Sequence, residues 1–425
     1  MTLRTIDIAG RDAKLPNWLG ADIRPGRPKY DSVVVRGNGI GALVFAGRLA
    51  RSAEFEGRVA LAGPAVSPNR RLIGGLTLRC RALDYYSAAL GIRHDELLGR
   101  LFAGSAARAA TLRQLGSYCV ADPTGGLSLL RRGQWLSSEQ SDGRPLAYGV
   151  RNSHLASTLG DIVRELGVTR SDGPSDTVEN CRAIALGQTP LIVNAGPRPL
   201  VAKPASPTSF VAAVQHPLAG TLRKERGVLE DGSSLFTARL RKGRNDIGIF
   251  NPLVDPLSPT ADYYGIVYRL IAATPDVDRE RELATLRDEL GAICNTLGFT
   301  SVDPDETEGA AFIPCSPWNH QATVQDGVLE LARVYDAGAP IITGDGMTRA
   351  GLSGLVAAEA ILAGQDPIEH ANRALARWRQ GNRMLAAGMT WAARLAALGI
   401  RLAPGPVLAQ GAMPDTWAGI ALPSN

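Results

Sequence analysis

The stretch that decides the fold is VVVRGNGIGALVFA, residues 33–46. It starts with three valines, turns through the pattern Gly-x-Gly-x-x-Ala and ends in an apolar run typical of a helix. Gly37 permits a tight turn, Gly39 lets the backbone approach a pyrophosphate, and Ala42 lets the helix pack closely on the strand. The anion would lie at the helix N-terminus, where backbone N–H groups point outward. The candidate dinucleotide-binding residues are Gly37, Asn38, Gly39, Gly41 and Ala42.

A second apolar run, residues 59–62, follows at the spacing that a βαβ unit needs, which favours dinucleotide binding over a plain structural turn. An acidic residue is expected at the end of this run to bind the adenosine ribose, but the sequence there reads Leu-Ala-Gly-Pro. Arg71 and its neighbour Arg70 come a few residues later and are candidates for contact with adenosine phosphate or ribose oxygens. A solvated loop is the alternative interpretation of this pair.

Alternating strands and helices are predicted around this motif. Short apolar runs bounded by Gly, Pro or polar residues recur at residues 191–193 and 340–342 and resemble buried parallel strands. Apolar residues at helical spacing mark amphipathic helices over residues 155–166 and 283–297, each followed by a glycine. This alternation predicts an α/β domain.

The middle of the chain has a different pattern. Residues 202–255 contain segments that favour antiparallel strands with wider turns, so we expect a second domain inserted in the first. The tail from Ile368 onward is rich in Ala, Leu, Arg and Trp, which indicates further helices.

Composition excludes several classes of function. The five cysteines lie far apart without a Cys-x-x-Cys pair, which argues against a disulfide framework and against a metal site. The formal net charge is +5, but no aromatic residues interleave with the basic groups at residues 223–226 and 239–244, so we expect no nucleic-acid partner. No apolar stretch approaches the length of a membrane span, and the N-terminus does not resemble a secretory signal. We expect a cytoplasmic protein with free thiols and no membrane partner.

A second motif, IITGDGMTRAGLSGLVAAEA, occupies residues 341–360. It predicts a buried strand that ends in Gly-Asp and is followed by a helix of small residues, whose N-terminal N–H groups are free to face a ligand. A cofactor as long as FAD would need such a second site: Asp345 could bind its ribityl chain, and the helix N-terminus, expected near Gly351 to Gly354, its flavin ring. Asp345 as a simple helix cap is the alternative. The candidate residues are Gly344, Asp345, Gly351, Leu352, Ser353 and Gly354.

The two motifs lie about 300 residues apart and together resemble the FAD-dependent aromatic-hydroxylase-like flavoprotein monooxygenases, the single-component group A type. The resemblance covers residues 31 to 366 and implies an FAD site assembled from both ends of the chain. It also implies that Arg151, which opens a long helix, lies close to the flavin; a plain surface arginine is the alternative. The segment 190–198 would be a strand that ends in a small-residue turn beside the cofactor.

The resemblance implies that NAD(P)H reduces the flavin and that a flavin C4a-hydroperoxide then transfers one oxygen atom to a small organic substrate, such as a natural product. Candidate catalytic residues are His320 and Arg349, with a structural histidine and a solvated arginine as the alternatives. Two other functions stay open: an FAD-dependent dehydrogenase or reductase, and a non-redox cyclase or degenerate FAD-binding protein. The sequence does not indicate an oligomeric state.

The predicted fold class is α/β: a Rossmann-like FAD-binding domain with an inserted, mainly antiparallel β-sheet substrate domain and C-terminal helices. We assign residues 1–30 to an N-terminal extension, 31–200 and 320–366 to the FAD-binding domain, 201–319 to the substrate domain and 367–425 to the C-terminal helical segment.

Overall fold

The fold was obtained as a computed structural model. The residues that it describes are 4–6, 13–15, 28–66, 77–102, 113–115, 117–121, 127–130, 147–196, 198–201, 206–207, 209–220, 233–241, 244–252, 263–301, 309–315, 324, 326–331 and 346–374.

Strands occur along the whole described chain. In chain order they are β1 (Arg4–Ile6), β2 (Ala13–Leu15), β3 (Ser32–Arg36), β4 (Arg58–Ala62), β5 (Thr77–Arg79), β6 (Arg113–Leu115), β7 (Ser117–Ala121), β8 (Leu127–Leu130), β9 (Ala147–Gly149), β10 (Thr169–Ser171), β11 (Pro190–Asn194), β12 (Ser209–Ala219), β13 (Ser233–Arg241), β14 (Arg244–Pro252), β15 (Tyr263–Ala272), β16 (Thr300–Ser301), β17 (Gly309–Cys315) and β18 (Val328–Glu330).

The described helices are α1 (Ile40–Arg51), α2 (Cys80–Leu90), α3 (His94–Phe102), α4 (Asn152–Glu165), α5 (Val178–Ile184), α6 (Arg279–Leu297), α7 (Gly346–Leu362) and α8 (Pro367–Ala374). Local chemistry sets several of their ends. The side chain of Asp278 accepts hydrogen bonds from the first N–H groups of α6, and Gly298 ends that helix with a φ of 84°. The helices that periodicity predicts over residues 155–166 and 283–297 correspond to α4 and α6.

A five-stranded parallel sheet forms the centre of the first part of the fold. Its strand order is β10-β4-β3-β11-β18, and β3 pairs in parallel with both β4 and β11. The chain builds one half of this sheet outward from β3 through β4 and β10, and then the other half through β11 and β18. This arrangement is the Rossmann-like sheet that the sequence predicts, with its topological switch point between β3 and β11.

Helices cover both faces of the parallel sheet. Val33 and Val35 of β3 face a large apolar core that also contains buried residues of α1, α2, α4 and α7. Val34 faces the other way, into a smaller core with Cys181 of α5 and Ile192 of β11. The three consecutive valines are therefore all buried, as expected for a strand with both faces covered.

A larger, mixed sheet follows the order β16-β12-β15-β14-β13-β7-β8, with β17 paired to β12. Its pairs are antiparallel except for β13 and β7. The mainly antiparallel sheet expected in the middle of the chain is thus confirmed. Residues 117–121 and 127–130 lie in the range that we assign to the FAD-binding domain, yet they pair with this sheet. The pairing of β7 with β13 joins residues more than 100 positions apart, which no local pattern reveals.

Two small sheets complete the described structure. Strands β5, β9 and β6 form an antiparallel sheet with β9 in the middle. Strands β1 and β2 pair antiparallel in the N-terminal extension, and β2 contacts α2. Within the described residues, no helix is both long and apolar enough to cross a membrane. The same residues contain no group of three or more His, Cys, Asp or Glu side chains that could hold a metal ion.

Candidate cofactor site

The carboxyl ends of β3 and β11 meet at the switch point of the parallel sheet. Gly37 follows β3 with a φ of 109°, in the left-handed region that favours glycine. A Cβ atom at Gly37 would lie 3.1 Å from the backbone of Ala195, which follows β11. The N–H of Gly37 also donates to the carbonyl of Ala62 at the end of β4, over 3.2 Å. Three strand ends therefore converge on Gly37, in the place where open α/β sheets bind ligands.

The N-terminus of α1 fits an anion. Gly39 is the N-cap of this helix, no side chain caps it, and its first turn contains no acidic residue. A Cβ atom at Gly39 would meet no atom of the described residues within 4 Å, so the backbone is open to a close neighbour on this side. Uncapped N–H groups at a helix start bind phosphate well. The turn thus has the space and the donors that a pyrophosphate needs.

The second motif packs directly on the first. A Cβ atom at Gly41 of α1 would lie 2.8 Å from the carbonyl oxygen of Ala350 in α7, and one at Gly354 would collide with the carbonyl of Gly41. Further along the same helices, Nε of Arg48 lies 2.6 Å from a carboxylate oxygen of Glu359, and both side chains are mostly buried. Small residues in both motifs let the two helix backbones approach. The structure therefore brings together two segments that lie about 300 residues apart in the chain.

Helix α7 begins earlier than we predict. It is helical from Gly346, so the expectation of a helix N-terminus near Gly351 to Gly354 is wrong. A Cβ atom at Gly351 would collide with the ring of Tyr86, and Gly354 contacts Gly41. Leu352 and Ser353 are buried between them. These positions serve close packing, while the free N–H groups of α7 belong to the turn that starts at Gly346.

Tyr86 holds the first turn of α7. Its hydroxyl donates to the carbonyl of Met347 over 2.6 Å, and the side chain is completely buried. Burial raises the pKa of Tyr86 above its ordinary value, so the hydroxyl remains a donor at all physiological pH values. The sequence gives no signal for this role because Tyr86 lies far from both motifs.

A buried polar network fixes the segment after β11. Asn194 donates to a carboxylate oxygen of Glu330 over 2.6 Å and accepts from Arg36 over 2.9 Å. The other carboxylate oxygen of Glu330 accepts from the N–H groups of Leu200, at 2.6 Å, and Val201, at 3.2 Å. Asn194 and Glu330 are only 1% and 2% exposed. The network joins the ends of β3, β11 and β18 and so positions the backbone that contacts Gly37.

The predicted small-residue turn of segment 190–198 is therefore present: β11 ends at Asn194, and Ala195 lies against Gly37. The sequence marks this turn but not its partners. Glu330 belongs to a short strand that no motif indicates.

The side chains of Asn38 and Arg170 meet at the end of β4. Nη1 of Arg170 donates to Oδ1 of Asn38 over 2.9 Å and to the carbonyl of Gly63 over 3.2 Å. Nδ2 of Asn38 donates to the carbonyl of Pro64. Burial lowers the pKa of Arg170, and the charge of Asp172 opposes that change. Its guanidinium lies beside the strand end where a ribose-binding acid is expected. No motif in the sequence marks Arg170.

Arg151 is buried, with 6% of its surface exposed, so the interpretation as a plain surface arginine is wrong. It is the N-cap residue of α4, separated from the end of β9 by Val150 alone, and its carbonyl accepts from the N–H groups of His154 and Leu155. Its contact with a flavin stays a prediction. The remaining candidates Arg71, His320, Gly344 and Asp345, and the side chain of Arg349, lie outside the described residues.

One face of the large sheet is rich in buried polar groups. Apolar residues of β12, β14 and β15 pack against α6 on the opposite face. Strand alternation and the pairing register place the side chains of Gln215, Asn251, Tyr264 and Tyr268 together on the face away from α6. All four are buried. We call this surface the polar sheet face.

Comparison with known proteins gives fold similarity without sequence similarity. No protein-family model matches the chain, and no curated protein sequence matches it. A flavoprotein/dehydrogenase from Cytophaga hutchinsonii is 13% identical with a TM-score of 0.54, over 91% of this chain and 93% of its own. CtdE in complex with FAD and its substrate 4 is 14% identical with a TM-score of 0.51, over 92% and 99%. The tetracycline destructase Tet(51) is 13% identical with a TM-score of 0.50, over 93% and 99%.

These similarities span nearly the whole of each chain, so they include both the parallel sheet with the glycine turn and the larger mixed sheet. The chain therefore shares the fold of these three proteins, of which one is a flavoprotein and another is seen in complex with FAD.

Proposed function

We propose that this protein is an FAD-dependent oxidoreductase, and specifically a monooxygenase that inserts one oxygen atom into a small organic substrate. The observation that carries the proposal is the contact of Gly41 with Ala350 and Gly354. This contact places the start of α7 beside the phosphate-binding turn, so one elongated ligand can reach both. CtdE, whose structure contains FAD, shares the fold. Because fold alone does not determine chemistry, the site carries the argument.

The residues of the turn would hold the cofactor's pyrophosphate through the N–H groups at the start of α1. Gly39 leaves space for the ligand to approach the backbone. Gly37 adopts the left-handed turn that directs the N-terminus of the helix toward the ligand. The first turn of α7, held by Tyr86, would face the flavin end. Once bound and reduced, FAD supplies the electrons and the oxygen activation, and the protein's part is to orient the substrate and to exclude water.

The polar sheet face is our candidate for the substrate side of the site. Gln215, Asn251, Tyr264 and Tyr268 offer hydrogen-bonding groups in an otherwise apolar setting, as small-molecule sites usually do. We propose NADH or NADPH as the reductant and His320 and Arg349 as catalytic groups, on the resemblance alone.

A dehydrogenase or reductase is the second candidate. The flavoprotein/dehydrogenase from Cytophaga hutchinsonii has the highest TM-score of the three structures compared above. Oxygen dependence separates the two candidates, because a monooxygenase consumes one O₂ for each reduced nicotinamide and a dehydrogenase with another acceptor does not.

The test begins with the absorption spectrum of the purified full chain, before and after incubation with FAD. Oxidised-flavin bands, with FAD released on heating and identified by chromatography, are the expected result. NADH and NADPH oxidation is then followed with an oxygen electrode, with and without small aromatic or polycyclic substrates. Substrate-stimulated oxygen uptake supports the monooxygenase. A colourless protein that takes up no FAD would contradict the whole proposal and favour a degenerate binding protein.

A further inference from the structure

We propose that Arg170 binds the 2′-hydroxyl of the cofactor's adenosine ribose, in place of the carboxylate that is missing at the end of β4. The inference rests on the proposed function, because it assigns a residue to one end of the FAD site. It concerns the recognition of adenosine and not the chemistry of the flavin.

The position of the guanidinium is the first argument. In a dinucleotide-binding βαβ unit, the ribose lies at the carboxyl end of the second strand, where an acidic side chain usually accepts from its hydroxyl. Here that strand is β4, and it ends at Ala62 followed by Gly63. Nη1 of Arg170 donates to the carbonyl of Gly63 over 3.2 Å, so the guanidinium lies beside the strand end from which that carboxylate would project.

The second observation is that two nitrogen donors of the Arg170 side chain have no acceptor among the described residues. Nη1 makes both described hydrogen bonds of Arg170, to Asn38 and to Gly63, whereas Nε and Nη2 donate to no residue in the described part of the chain. Nη2 would lie 3.8 Å from a Cβ atom at Gly160, a residue that has no side chain to fill the space beside it. A planar guanidinium fixed by one nitrogen holds its other donors in a set direction, which suits a ribose hydroxyl oxygen.

The third observation is that a hydrogen bond with Asn38 holds the Arg170 side chain in place. Asn38 belongs to the phosphate-binding turn itself, and its side-chain oxygen Oδ1 accepts from Arg170. Phosphate binding by the turn and ribose binding by Arg170 therefore share one rigid unit, in which a ligand that contacts both would meet preformed partners.

The experiment uses the full-length protein freed of flavin. FAD is added back, and its displacement by ADP and by 2′-deoxy-ADP is measured. The proteins compared are the wild type, Arg170→Gln and Arg164→Gln. Arg164 is the matched control, because it is a nearby arginine whose side chain is 72% exposed and pairs with Asp161. FMN, which lacks adenosine, is the control ligand, and its Kd is measured by fluorescence quenching.

We expect 2′-deoxy-ADP to bind the wild type about tenfold more weakly than ADP, a difference of about 1.4 kcal/mol. Arg170→Gln should weaken the binding of ADP and of FAD by a similar factor and leave the Kd of FMN unchanged. It should also remove the difference in affinity between ADP and 2′-deoxy-ADP. Arg164→Gln should change none of these by more than about twofold.

Equal binding of ADP and 2′-deoxy-ADP by the wild type overturns the inference even if the variant does not fold. So does an Arg170→Gln variant that weakens FAD and FMN equally, because Arg170 would then only hold the loop. In both cases the wild type still binds FAD and the proposed function stands. A wild type that binds neither FAD nor ADP removes both proposals.

Discussion

Gly354 in α7 lies in backbone contact with Gly41 in α1: a Cβ atom at Gly354 would collide with the carbonyl oxygen of Gly41 and lie 3.1 Å from the N–H nitrogen of Phe45. The obstructing atoms are backbone atoms of a buried helix, which cannot rotate away as a side chain can. The contact joins the two motifs on which the proposed cofactor site depends, so its loss should affect both stability and cofactor binding.

Gly354→Ala is therefore expected to lower the free energy of unfolding by about 1–3 kcal/mol, because the added methyl group forces α7 away from α1. FAD affinity should fall with it, since the start of α7 would shift relative to the phosphate-binding turn. Chemical denaturation and FAD titration measure the two effects.

Gly99→Ala provides the control. Gly99 is an exposed residue in α3, and a Cβ atom there would meet no atom of the described residues within 4 Å. This substitution should stabilise the protein by about 0.5–1 kcal/mol, because alanine is the better helix former. If both variants gained stability, the close contact of α1 with α7 would be in doubt.

Local signals in the sequence predict the elements of the fold better than their contacts. The turn at residues 37–42 and the helices α4 and α6 follow from glycine placement and apolar periodicity, which act over a few residues. The start of α7 at Gly346 does not, because glycine is a poor helix former and the contacts that hold the helix there come from residues far away in the chain, such as Tyr86 and Gly41.

In the candidate site too, the local element is predictable from the sequence and its distant contacts are not. The phosphate-binding turn is recognisable from residues 33–46, but Arg170 reaches it from β10, more than 100 residues away in the chain. Glu330 of β18 acts from a similar distance on Asn194, which precedes the backbone that packs on Gly37. A single arginine or glutamate in a strand carries no pattern that marks a partner at that distance. The pairing of β7 with β13 is equally non-local, so the sequence does not show that β7 belongs to the large mixed sheet.

Glu330→Gln should disrupt the network that positions the backbone beside Gly37. A glutamine has one acceptor oxygen, whereas Glu330 uses two, one for Asn194 and one for Leu200 and Val201. One buried donor loses its partner, so we expect a loss of about 1–3 kcal/mol in unfolding free energy and a weaker affinity for FAD.

Denaturation curves and FAD titrations of Glu330→Gln are compared with those of Glu369→Gln. Glu369 lies on α8, with its side chain 69% exposed and paired with Arg373, so its substitution should cost less than about 0.5 kcal/mol. Equal stability of the two variants would show that the buried network contributes little.

Removal of one partner of a buried ion pair in the large sheet should be strongly destabilising. Arg269 of β15 pairs with Asp246 of β14 and with Glu282 of α6, and the side chains of Arg269 and Asp246 are 3% and 1% exposed. Asp246→Ala leaves a buried guanidinium without its main partner and should cost about 3–5 kcal/mol. Glu282→Ala should cost about 1 kcal/mol, because that carboxylate is 29% exposed and can be replaced by water.

The double variant Asp246→Leu with Arg269→Met tests whether the cost comes from an uncompensated charge. Removing both charges should recover most of the stability that Asp246→Ala loses, since well-packed apolar residues often replace a buried ion pair without loss. Denaturant midpoints of the variants measure this. A double variant as unstable as Asp246→Ala would mean that packing volume and not charge is decisive.

Cys294 should make the stability of the protein sensitive to alkaline pH. The thiol lies in the apolar core beneath α6, and burial raises its pKa from the ordinary 9.0 to about 12. The pKa of this thiol is higher in the folded protein than in the unfolded chain. Its contribution to the free energy of unfolding is therefore complete below pH 9 and is lost as the pH rises toward about 12. At pH 10.5 the unfolded chain gains about 2 kcal/mol from ionising this group.

Cys294→Ala should therefore lose less stability than the wild type between pH 8 and 10.5, by about that amount, when both are unfolded in urea. Other groups titrate equally in the two proteins, so parallel curves would show that the thiol ionises as readily in the folded protein as in the unfolded chain.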